Sequence, residues 1–142
     1  MKKIHSKGNT EDVLPLMFEL GRAVRQACVA AGGLPLPLAH LETLRFVGDR
    51  KNPTMRDVAA YLRIAAPSAT AIIEELADKG LLSRKPDSAD RRLVRLFLSQ
   101  KGKSLVAKHL KLRMQTLRSL VAPLSATDKR ELARILLKLV KK

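Results

Sequence analysis

The side chains with the plainest chemistry in this 142-residue chain lie between Pro67 and Ser99. Ser68 and Thr70 carry hydroxyls that donate and accept hydrogen bonds, and Ala71 beside them offers a methyl group. Further on, Arg84, Lys85, Arg91, Arg92 and Arg95 gather positive charge around Asp87 and Asp90. Hydroxyls and a methyl suit base edges in a duplex groove, and guanidinium forks suit phosphates or a narrow, electronegative minor groove. Asp90, two residues before Arg92, can orient that guanidinium, while Arg84, Lys85, Arg91 and Arg95 are expected to meet phosphates or solvent. The hydroxyls also admit a plainer role, stabilising the start of a helix. No nucleophile–base pair, phosphate-binding glycine loop or carboxylate pair stands out, so the chain is not expected to be an enzyme.

The elements that must hold these groups can be read from the pattern around them. A helix from Pro67 to Gly80 puts Ile72, Ile73, Leu76 and Ala77 inward and Ser68, Thr70, Ala71, Glu74, Glu75 and Asp78 outward. Proline at the first helical position loses only an N–H that would be unpaired there anyway. Ala65 and Ala66 stand where a capping side chain is expected, which leaves the N–H groups of the first turn open to a phosphate. Only those first turns suit approach to DNA, since the acids beyond would be repelled. Two strand-like runs follow, Leu81–Lys85 and Leu93–Leu98, with Val94, Leu96 and Leu98 alternating against Leu93, Arg95 and Phe97. A helix followed by a hairpin with a basic tip is the order of parts in a winged helix-turn-helix.

The rest of the chain is helical in pattern. Thr10, with Glu11 and Asp12 after it, reads as a capped helix start, and Val13, Leu16, Met17, Leu20, Val24, Ala27 and Ala31 form an apolar stripe. Gly32-Gly33 ends that helix, and Leu34–Pro37 reads as an extended connector. A second helix from Leu38 carries Leu41, Leu44 and Val47 inward. Thr54 and Asp57 form a capping pattern for a third, with Val58, Ala59 and Leu62 inside. Ser99 and Gly102 mark the junction to a long helix through Val106, Leu110, Met114, Leu117 and Val121, stopped by Pro123. Ser125 and Asp128 repeat the capping pattern before a last helix bearing Leu132, Ile135, Leu136, Leu139 and Val140.

Composition narrows the partners. The net charge of +15 is uneven: residues 38–83 are neutral, residues 84–103 carry +5 and residues 104–142 carry +8. A polyanionic partner follows from that excess. Aromatics make up 3% of the chain, with no Trp, which disfavours binding through stacked single-stranded bases. The C-terminal cations, such as Lys108, Lys111, Arg118, Arg130 and Lys138, are spaced as a solvated face. A single cysteine, Cys28, excludes an intrachain disulfide, fits a reducing, cytoplasmic location and is expected to be buried and structural. His5, His40 and His109 have no ligand spacing, so neither metal nor cofactor is expected. His5, Lys7, Glu11 and Asp12 occupy the place of a signal peptide's apolar core, so none is expected, and the longest uncharged run, Ala27–Ala39, is too short for a membrane span.

Three patterns in register carry a family resemblance: P-S-x-T-x-I-I-x-x-L-x-x-K-G in the Pro67 helix, D-x-x-D-R-R in the hairpin turn, and L-S-x-K-G after it. Together, over about residues 38–103, they resemble the MarR family (multiple-antibiotic-resistance regulators) of bacterial transcription factors. The resemblance implies a mainly α fold with a small β-hairpin wing, in which residues 38–103 form the DNA-binding lobe. Residues 1–37 and 104–142 then form the dimerisation helices. It implies a homodimer on a pseudo-palindromic double-stranded site, commonly a repressor, and leaves open a small aromatic or acidic ligand. The DNA-facing residues are then Thr54, Pro67, Ser68, Thr70, Ala71, Arg84, Lys85, Asp90, Arg91 and Arg92, with Arg92 entering the minor groove. Relatives often have a long polar residue where Ala71 stands, so specificity is expected to lean on shape and on the wing. The apolar faces independently point to a dimer through Val13, Leu16, Met17, Leu20, Leu117, Val121, Leu132, Ile135, Leu136 and Leu139. A basic architectural or RNA-associated protein is the alternative; it explains the charge but not the three patterns in register.

Overall fold

A computed structural model describes residues 9–33 and 36–141. The elements run α1 (Thr10–Ala30), α2 (Leu38–Asp49), α3 (Met55–Leu62), α4 (Ala66–Asp78), β1 (Leu82–Pro86), β2 (Val94–Leu98), α5 (Gln100–Val121) and α6 (Ala126–Val140). The expected fold class, mainly α with a hairpin wing, is what the chain adopts. Two compact units divide it, one spanning Leu34–Leu110 and the other joining Met1–Gly33 to Lys111–Lys142.

The Leu34–Leu110 unit is built on Leu44, Val47, Val58, Ala69, Ile73, Leu76, Leu81, Leu82 and Leu96. These are the inward positions of α2, α3 and α4 at helical spacing and one face of the hairpin at a spacing of two. The start of α3 is set by the capping box expected from sequence. The Asp57 N–H donates to Thr54 Oγ1 (3.2 Å), and the Thr54 N–H donates to Asp57 Oδ2 (2.8 Å). Arg63 then takes left-handed backbone (φ 54°), which ends α3 and lets the chain turn directly into α4. The strands pair antiparallel with Leu82 opposite Leu98 and Pro86 opposite Val94, one residue later at their starts than the pattern suggested. An extra bridge between Thr54 and Arg95, with the Leu96 N–H donating to Pro53 O (2.9 Å), lays the start of α3 along β2.

Gly102 proves to be inside a helix rather than at a junction. Ser99 accepts the Gly102 N–H (3.0 Å) as the cap of α5, and its hydroxyl donates to Gly80 O (2.6 Å). A Cβ at Gly102 would stand 2.0 Å from Leu81 O, so the backbone of α5 can only lie this close to Leu81 because that side chain is absent.

In the other unit, α6 is opened by the expected capping box of Ser125 and Asp128. The cap of α1 is Asn9 rather than Thr10, which is the first helical residue, and no side chain closes it. Pro15 sits inside α1, where it removes one N–H from the helix ladder. Neither α1 nor α6 buries a single described residue within the chain. Met17 is 54% exposed, Leu20 57% and Leu139 58%. Cys28 is half-buried, short of the full burial expected, because α1 has so little packed against it. Leu34 and Pro35, expected as part of the connector, and His5 lie outside the described residues. No helix among the described residues is long and apolar enough to cross a membrane.

Candidate nucleic-acid interface

The start of α4 differs in detail from the sequence reading. Ala66 is the first helical residue and Pro67 the second, so the capping position is Ala65, whose extended backbone (φ −66°, ψ 149°) carries no side chain able to cap. Ala69 N–H closes the first helical hydrogen bond, to Ala65 O (3.1 Å). Pro67 has no N–H, so the N–H groups of Ala66 and Ser68 are the ones this helix start leaves without an intrahelical acceptor. Ser68 and Ala71 are exposed beside them. Thr70 is half-buried and its hydroxyl donates to Ala66 O (2.9 Å), leaving oxygen lone pairs to accept from a ligand. Ala69, between them, belongs to the core.

Glu74, Glu75 and Asp78 are exposed on the outer face of α4, as expected. Glu75 Oε2 lies 2.8 Å from Nε2 of His40, a buried residue of α2. Glu74 faces Arg84 of β1 at 3.8 Å. The Arg84 pairing works in favour of an anion at the helix start, since it offsets the charge of Glu74.

At the wing, the turn is closed by the Asp87 N–H donating to Leu93 O (2.9 Å) and the Leu93 N–H donating to Asp90 O (3.0 Å). Asp90 Oδ1 accepts the Arg92 backbone N–H (3.0 Å) and its Nε–H (3.1 Å). The Arg92 guanidinium holds the Asp90 carboxyl below the usual carboxylate range. With 91% of its side chain exposed, Arg92 is a pre-aimed fork at the tip of the hairpin. Arg91 is exposed next to it, and Lys85 places Nζ 5.3 Å from the centre of the Phe97 ring. Arg95, one-third exposed, also makes contacts within the chain that the sequence reading did not include. Its Nη1 donates to Asn52 O (3.1 Å) and its Nε lies 3.5 Å from Asp87 Oδ1.

Thr54 is committed to its cap: its hydroxyl donates to Asp57 Oδ2 (2.9 Å), and the hydrogen bonds from the Thr54 backbone and hydroxyl lower the Asp57 pKa. The Asn52-Pro53 dipeptide reads in the sequence as a chain break, and Asn52 sits there at φ 51°. The contacts of His40 with Glu75 and of Asn52 O with Arg95 have no signal in the sequence.

A helix start with open N–H groups, followed by a hairpin tipped with a held arginine and built on a three-helix core, defines the winged helix-turn-helix class of DNA-binding proteins. The MarR family model matches residues 33–93. An uncharacterised HTH-type transcriptional regulator of Mycobacterium leprae is 31% identical over 119 residues, covering 84% of this chain and 82% of the relative. The chain belongs to the MarR family and is a transcription regulator with a DNA-binding fold. Solved structures agree on the fold. FabT of Streptococcus pneumoniae, in complex with DNA, superposes with a TM-score of 0.74 at 20% identity, covering 91% of both chains. MepR, a regulator of a Staphylococcus aureus multidrug efflux pump, gives 0.76 at 19% identity, covering 89% of this chain and 96% of its own.

Proposed function

We propose that this chain is a sequence-specific repressor that binds a pseudo-palindromic operator as a homodimer. The start of α4 enters the major groove, with Ser68, Thr70 and Ala71 at base edges and the Ala66 and Ser68 N–H groups at a phosphate. Arg92 enters the adjoining minor groove, and Arg84, Lys85 and Arg91 meet the backbone. Residues 38–103 do the binding, while residues 1–37 and 104–142 join two copies. A small aromatic or acidic ligand releases the DNA. The observation that carries this reading is the pairing of an uncapped helix start with an exposed arginine already oriented by Asp90.

The dimer is supported by α1 and α6, whose apolar stripes have no fully buried residue among those described and leave most of their members exposed. Contiguous apolar surface on that scale marks an interface. Light scattering of the protein alone and with a short operator duplex tests both halves. Two chains in each case, with Arg92→Ala weakening binding by about 1–3 kcal/mol, is the expected result. A one-chain mass, or an unmoved Arg92→Ala midpoint, refutes it.

A further inference from the structure

We propose that Arg95 and Asp87 form a buckle that sets the angle of the wing, making Arg95 a positioning residue for DNA binding rather than a DNA contact. The inference rests on the reading of Arg92 as the minor-groove residue. Three separate stretches meet on the Arg95 side chain. Its Nη1 donates to Asn52 O in the loop between α2 and α3, and its Nε faces Asp87 at the end of the ascending strand. Its own backbone bridges to Thr54, the cap of α3.

The loop side of the buckle is held in an uncommon conformation, with Asn52 at φ 51°. Left-handed backbone at a residue other than glycine persists where the surroundings over-determine it, and here the Arg95 hydrogen bond to Asn52 O is one such restraint. Asp87 is the less exposed partner, with 17% of its side chain accessible against 33% for Arg95.

A two-stranded hairpin has little rigidity of its own, so its direction depends on what grips its root. Arg92 lies in the turn three residues before Arg95, at most about 10 Å away at roughly 3.3 Å per residue. A tilt of about 20° at the root therefore carries the tip by up to about 3.5 Å, the scale of a hydrogen-bond length. The buckle ties the wing to the start of α3, and α3 leads through Arg63 directly into α4. The Arg95 guanidinium thus adds to the backbone bridge at Thr54 and the Leu96 N–H bond to Pro53 O in holding the spacing between the helix start and the wing arginine.

Simple electrostatics and the buckle predict opposite outcomes for Asp87. Removing an acid close to DNA should tighten binding, whereas loosening the buckle should weaken it. The test uses the full chain and an operator obtained by selection, comparing wild type with Arg92→Ala, Asp87→Asn, Arg95→Gln, Arg95→Lys and the Arg92→Ala/Asp87→Asn double variant. Affinity for operator and for random duplex is measured across a salt series, with thermal melts as a check on folding.

The buckle predicts a three- to tenfold loss of operator affinity in Asp87→Asn, with random-duplex affinity and the slope of log affinity against log salt unchanged. Arg95→Gln behaves the same way. Arg95→Lys, which keeps the charge but loses the fork, does not restore binding. In the double variant, Arg92→Ala costs less than it does alone. Equal or tighter operator binding by Asp87→Asn overturns the proposal, as does a fall of about 0.9 in the salt slope for Arg95→Gln, the mark of a lost phosphate contact. If Arg92→Ala weakens binding but Asp87→Asn does not, the buckle alone fails. If Arg92→Ala is silent, the wing reading falls and the buckle with it.

Discussion

Placing an aspartate at the cap of α4 should make the protein more stable and a poorer DNA binder at once. Ala65 already has the extended backbone of a capping residue and lacks only an acceptor. Because Pro67 has no N–H, an aspartate there would take the Ser68 N–H. That cap contributes about 0.5–2 kcal/mol, enough to raise Tm by roughly 1–8 °C. The same N–H is the one proposed to meet a phosphate, and losing a charged hydrogen bond costs about 1.5 kcal/mol.

The new carboxylate adds repulsion. At about 5.5 Å from a phosphate and an effective dielectric of about 40, between surface and bulk values, it costs about 1.5 kcal/mol. The sum is roughly 3 kcal/mol, or on the order of a 100-fold loss of affinity at low salt. Ala65→Asn separates the parts, since it caps without charge and should lose only about tenfold. Fluorescence anisotropy across a salt series reads both, with the Asp–Asn gap narrowing as salt rises. A variant that melts higher yet binds DNA as well as wild type would refute the placement of a phosphate at this helix start.

Other outcomes follow from particular contacts. Gly102→Ala forces a Cβ against Leu81 O and should destabilise the protein by about 1–3 kcal/mol in urea melts, with no direct effect on DNA contacts. The Asp57 carboxyl is lowered from its ordinary value of 3.8 by the hydrogen bonds from Thr54. The unfolded chain therefore takes up that proton first as pH falls. The stabilisation is complete above about pH 5 and is lost as pH drops below 4 through the folded value. Asp57→Asn should flatten that part of the acid-unfolding profile, and Asp128, lowered by Ser125, behaves alike. Leu136→Glu on the exposed face of α6 should reduce the solution mass to one chain while circular dichroism still shows helix, and an unchanged dimer mass would remove that face from the interface.

What could be read in the sequence was what is written locally. The boxes at Thr54–Asp57 and Ser125–Asp128 each fit within four residues, and the alternation at Val94–Leu98 declares its own period. Details that missed by one position, Asn9 for Thr10 as the cap of α1 and Ala66 for Pro67 as the first residue of α4, are ones that only backbone angles distinguish. The partners of Glu75 and Arg95 were not legible for a different reason. His40 and Asn52 lie 35 and 43 residues away in the chain, and no periodicity reports a pairing at that separation. The burial of Cys28 depended on how much packs against α1, which the apolar stripe of α1 alone does not report.

The central claim is that two copies present paired helix starts and arginine-tipped wings to one duplex, and selection of binding sites from randomised duplexes with the purified protein tests it most directly. An inverted repeat whose half-site centres lie about one helical turn apart, roughly 10 base pairs, is the predicted outcome. Recovery of no motif, or of a single unrepeated one bound by a lone chain, would contradict it.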